Sequence, residues 1–139
     1  MNIYLAALML VLAQPALAWD FSPTPICTLT DAGSHTDVKL TYDGQLYALA
    51  LPHADGWPSE PVFSIRFAPL GPYISTSNHK VEGNTLTVSD TGFGNVLTGL
   101  QINQTAQIIL GDMVREIDLT GARAPVDAFR RCEPSVPMS

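Results

Sequence analysis

Along the middle of the chain, apolar and polar residues alternate with a period of two. In TDVKLTYD (residues 36–43), Val38, Leu40 and Tyr42 fall on one face and Lys39 and Thr41 on the other. This is the pattern of a half-buried strand. Asp43-Gly44 reads as a two-residue hairpin turn. QLYALALP (residues 45–52) then returns as the partner, with Leu46, Ala48 and Ala50 opposite Tyr47, Leu49 and Leu51. VFSIRFA (residues 62–68) is a third strand. PYISTS (72–77) and TLTVSD (85–90) are shorter, joined by a turn at Glu82-Gly83-Asn84, and AQIILG and MVREIDL pair around Gly111-Asp112. With the segment around Cys27 this makes about eight closely spaced strands. The expected fold is mainly β, one small β-sandwich or barrel.

The period changes in two places. TGFGNVLTGL (91–100) carries Phe93, Val96, Leu97 and Leu100 at i, i+3, i+4 and i+7, a helical set. It predicts a helical turn that plugs one end of the β structure. It is not a phosphate loop, because Leu97 stands where the third glycine of GxGxxG would fall. GARAPVDAFRRC (121–132) predicts a short C-terminal helix near residues 125–132, with Val126, Phe129 and Cys132 on one face. Pro125 suits the first turn, where a missing N–H costs nothing.

The start of the chain has a different pattern. MNIYLAALMLVLAQPALA is apolar from residue 3 to 13, breaks at Pro15 and ends in the small-x-small signal Ala16-Leu17-Ala18. The run is too short for a membrane span, which needs about 20 residues. Residues 1–18 therefore read as a signal peptide, although no Lys or Arg precedes the apolar run. Residues 19–139 form the single expected domain, beginning at Trp19, with no membrane span after cleavage and a periplasmic or secreted location. In an exported chain an even cysteine count implies a disulfide. Cys27 and Cys132 allow one intramolecular pairing, which would tie the first strand to the last helix. Without a CxxC spacing, a metal or redox pair is the weaker alternative.

Charge narrows the partners. The chain has 13 acidic and 7 basic residues, a net charge of −6. Lys39, Arg66, Lys80, Arg115 and Arg123 are scattered, and only Arg130-Arg131 adjoin. That pair complements a helix C-terminus. A nucleic-acid partner is disfavoured, because no positive field is available to hold phosphates.

Candidate chemistry is sparse. His35 lies near Asp31 and Asp37, and His53 near Asp55, while His79 stands apart. None makes an HxxxH or EF-hand pattern, so neither a metal nor a cofactor is expected. No GxSxG elbow marks a hydrolase. Trp57, between Gly56 and Pro58 in a polar loop, is the candidate partner-binding residue, since a stiff loop presenting an indole suits an interface anchor. The alternative is that the indole folds back over the sheet. Asn103-Gln104-Thr105 matches a glycosylation acceptor by composition alone.

WDFSPTPICTLT, the core VFSIRF…ISTSNHKVEGNTLTVSDTGFGNVLTGL and the ending GARAPVDAFRRC together resemble a family of small exported proteins of marine-type alphaproteobacteria. The resemblance runs over nearly the whole mature chain and implies a periplasmic location without any catalytic residues. Members of that family sometimes carry the name of a helicase-like excinuclease component, yet such a helicase needs a Walker A loop that this chain lacks. The ending is also similar to that of invasion-associated locus B proteins. Three function classes follow as expectations. The first is a non-catalytic binding or envelope-associated protein whose partner is a protein or envelope component. The second is an inhibitor or stress-protection protein of lysozyme-inhibitor type, although the SGxxY signature is missing. The third is a small hydrolase with an unrecognised site.

Overall fold

A computed structural model describes residues 18–31 and 37–134. The signal-peptide expectation for residues 1–18 lies outside the described residues except at Ala18, and so does His35. Among the described residues the strands are β1 (Trp19–Ser22), β2 (Cys27–Asp31), β3 (Val38–Tyr42), β4 (Tyr47–Pro52), β5 (Phe63–Ala68), β6 (Tyr73–Thr76), β7 (His79–Glu82), β8 (Thr85–Asp90), β9 (Thr105–Leu110) and β10 (Met113–Asp118). The helices are α1 (Gly94–Ile102) and α2 (Arg123–Arg130).

Two antiparallel sheets result, in the orders β1-β2-β3-β4-β8-β7 and β10-β9-β5-β6. Pairing stops at β1, β7, β10 and β6, so the fold is sandwich-like and not a closed barrel. The alternation in sequence becomes rows of side chains across the strands. Leu29, Leu40, Leu49 and Val88 are successive partners on the inner face of the larger sheet. Ile74, Ile65 and Ile108 do the same on the smaller one. All of these side chains except Ile74 are buried, and full burial of such a side chain stabilises a fold by about 1.5–3 kcal/mol.

The structure corrects two turns. Tyr42 pairs with Tyr47, so Asp43 to Leu46 form a four-residue loop and not a two-residue turn. Asp43 Oδ1 accepts hydrogen bonds from the N–H groups of Leu46 (2.8 Å) and Gln45 (2.9 Å). These bonds hold the Asp43 carboxyl below its usual value, and Gly44 supplies the positive φ of 101°. Glu82 pairs with Thr85 across a two-residue turn at Gly83-Asn84, creating β7. The sequence hid β7 because His79, Lys80 and Glu82 leave Val81 as its one strong apolar residue. β1 was hidden likewise by its length of four residues.

Trp19 shows why β1 exists. Its ring is 2 % exposed, and its indole N–H donates to the Asp118 carbonyl at 3.0 Å. An edge strand of one sheet is thereby tied to an edge strand of the other. α2 packs over β1 and β2 and against α1. It buries Val126 and Phe129 as the spacing predicts, and the Cys27–Cys132 disulfide, spanning 105 positions, closes the arrangement. Helix α1 has nine residues, longer than the predicted single turn. It lies so close to the smaller sheet that a Cβ on Gly99 would collide with the Phe67 ring.

Candidate functional site

The loop after β4 turns at Gly56, whose N–H donates to the His53 carbonyl at 2.9 Å. The turn carries Trp57 inward. Its indole is 9 % exposed, donates to the Leu51 carbonyl at 2.8 Å and meets the edge of His53 at 5.6 Å between ring centres. Of the two readings of Trp57, the structure takes the second: the indole folds back onto the core. A buried indole N–H needs an acceptor, and the Leu51 carbonyl provides it.

The other sequence candidates are dispersed. Cys27 and Cys132 are joined to each other. His53 Nδ1 accepts from the Asp55 N–H at 3.0 Å. His79 Nε2 lies 2.8 Å from the Glu60 carbonyl, to which it donates. The Asn103 side chain is spent on structure: Oδ1 accepts from the Leu70 N–H and Nδ2 donates to the Gly71 carbonyl, both at 2.6 Å, with a further bond to the Gly99 carbonyl. It pins the β5–β6 turn to the end of α1, which leaves its amide nitrogen no room to serve as a glycan acceptor.

What the structure assembles instead is a cleft between the sheets, on the side where β6 and β8 approach α1. Its volume is about 410 Å³, within the about 300–1,000 Å³ usual for small-molecule sites. Leu49 and Val88 form the wall from the larger sheet, and Phe63, Ile65 and Ile74 the facing wall. Phe93 and Val96 close the end. Thr76, Asp90 and Asn95 supply the polar atoms. Asp90 is the last residue of β8 and takes the inward register after Leu86 and Val88. It emerges at the exposed mouth, with Oδ1 accepting from the Thr91 N–H at 2.6 Å.

The Phe93 wall is braced from behind. Tyr47 stacks on Phe93 at 5.3 Å, and Tyr42 on Tyr47 at 4.1 Å. Burial, followed by the neighbouring Tyr42, pushes the Tyr47 hydroxyl above its ordinary pKa, so it is a neutral ring at physiological pH. Arg130 of α2 donates to Thr98 Oγ1 at 2.6 Å and to the Gly94 carbonyl at 3.3 Å. It thereby locks α1 in place, beyond the helix-end role expected of it. Phe93 and Val96, expected in a plug, line the cleft. Asp90, Thr76 and Asn95 carry no sequence signal of a site, because their meeting depends on the register of β8 and β6 and on where α1 begins.

Fold and site define the class: a disulfide-tied, two-sheet antiparallel sandwich with an apolar cleft between its sheets. No protein-family model, curated protein or solved structure matches this chain.

Proposed function

We propose that this chain is an exported, non-catalytic binding protein of the bacterial periplasm and that it takes an apolar small molecule or the apolar part of an envelope component into the intersheet cleft. The cleft carries this reading. It has apolar walls, a braced aromatic end and a few polar atoms at its mouth, the general composition of a ligand site. Among the described residues that line it, Asp90 alone has a charged side chain. One such group offers no acid–base pair or activated nucleophile, which favours binding over catalysis. The leader-like start and the Cys27–Cys132 disulfide support an oxidising compartment. Among the described residues no helix is long and apolar enough to cross a membrane. A partner anchored through an exposed Trp57 loses support, since that indole is committed to the core.

The test uses an uncharged environment-sensitive dye, N-phenyl-1-naphthylamine, with protein purified from periplasm. Saturable binding by wild type is expected. Ile74→Trp, which fills the cleft from the partly buried edge strand β6, should abolish it while keeping the disulfide and the melting transition. Equal dye binding by wild type and Ile74→Trp would overturn the proposal.

A further inference from the structure

The walls of the cleft are uncharged, and its mouth is not. Two features set the potential there. Asp90 brings a full negative charge, exposed and at the inward register of β8. The first turn of α1 brings Gly94, Asn95 and Val96, with no side-chain cap on the helix. A helix N-terminus acts as about half a positive charge, so the carboxylate outweighs it. Among the described residues, no Lys, Arg or His lines the cleft. Arg130 keeps its positive charge while bound to Thr98 and the Gly94 carbonyl, but it is not among the residues that line the cleft, whereas Asp90 is. The net charge of −6 adds to the negative potential. Phe93 presents a ring to the cleft three residues beyond Asp90, and an aromatic face also favours a cation.

We propose that the cleft selects amphiphiles with one apolar chain and a cationic head. The chain lies between Leu49, Val88, Ile65 and Ile74, and the ammonium group sits at the mouth against Asp90. Carboxylate heads are rejected by the same residue. Asp90 is thus the specificity-determining side chain, while the apolar walls supply affinity common to all heads. This inference rests on the reading of the cleft as the ligand site.

The experiment displaces the uncharged dye with three ligands of equal chain length: decyltrimethylammonium, decanol and decanoate, at neutral pH and low ionic strength. At the mouth, in contact with water, one unit charge at about 4 Å changes affinity by about fivefold. Decyltrimethylammonium should therefore displace the dye at about fivefold lower concentration than decanol, and decanoate at about fivefold higher. Asp90→Asn should bring the three within about twofold of one another, and added salt should narrow the wild-type spread. Decanoate matching the cation on wild type, or a spread unchanged in Asp90→Asn, would overturn the selectivity. Equal displacement by all three would do the same while leaving the cleft as the site. If none displaces the dye, or if Ile74→Trp and Thr76→Trp bind all three like wild type, both the selectivity and the cleft reading fall.

Discussion

Replacing Cys132 with serine isolates the contribution of the disulfide. Cys132 is half-buried at the end of α2, so a serine hydroxyl there reaches water. Cys27 is fully buried beneath it, and its free thiol would remain in place as a small apolar group. The opposite substitution, Cys27→Ser, would bury an unpartnered hydroxyl and confuse two effects. The bond closes a loop of 105 positions. Chain-entropy arithmetic for a loop near 100 residues gives about 4.7 kcal/mol, and losses of native disulfides from small exported domains run from about 2 to 5 kcal/mol. α2 has eight residues, too few for a helix to persist alone in water. Without the bond its attachment depends on Val126, Phe129 and the Arg130 contact to Thr98. At about 4 °C per kcal/mol for a domain of this size, the melting temperature should fall by roughly 8–20 °C. Circular dichroism melts of wild type and Cys132→Ser without reductant measure this. Hydrogen exchange should show the loss concentrated in α2 and β2, with β3 and β4 protected longer. Two titratable thiols in unreduced wild type, or a variant melting within a degree or two of it, would refute the reasoning.

Two further outcomes follow from single side chains. Trp57→Phe keeps an aromatic ring but removes part of the indole's bulk together with the N–H bonded to the Leu51 carbonyl; urea unfolding should show a loss of at least about 1–3 kcal/mol, and no loss would mean the bond contributes nothing. Asp43 and Asp118 both have carboxyl pKa values lowered below the ordinary 3.8: Asp43 by the N–H groups of Leu46 and Gln45, Asp118 by the hydroxyl and N–H of Thr120. A carboxyl depressed in the folded state stabilises it above the unfolded pKa, and that stabilisation is lost as pH falls through the folded value. Wild type should therefore lose stability on acidification through and below pH 3.8, and the Asp43→Asn, Asp118→Asn double variant should lose less over the same range. Parallel acid profiles of the two proteins would count against these loops as a source of acid sensitivity.

Much of the architecture was legible in the order of residues. Strand alternation is a local property: Val38, Leu40, Leu49 and Leu51 must share a buried face wherever their strands end up. The i, i+3 spacing of Val126, Phe129 and Cys132 predicted the buried face of α2, and two cysteines left one intramolecular bond to make. Pairing at Gly111-Asp112 was legible for the same local reason, since a two-residue turn dictates its own register. Asp43 shows the limit, because its side chain captures two backbone N–H groups and widens the turn.

Other features depend on residues distant in sequence. Whether the strands close into a barrel or stop as two sheets is set by what covers the edges, and Trp19 reaching the Asp118 carbonyl is a contact across 99 positions. The sequence left Trp57 between an exposed anchor and an indole folded over the sheet; the turn at Gly56 and the Leu51 carbonyl decide for the second. The cleft is the least local feature of all. Leu49, Ile74, Val88, Asp90 and Phe93 are ordinary core or turn residues one at a time. They become a site because β8 pairs with β4 and not with β6, which leaves a gap between the sheets that α1 only partly fills. A sequence specifies which side chains avoid water; packing decides where their shapes leave room for something else.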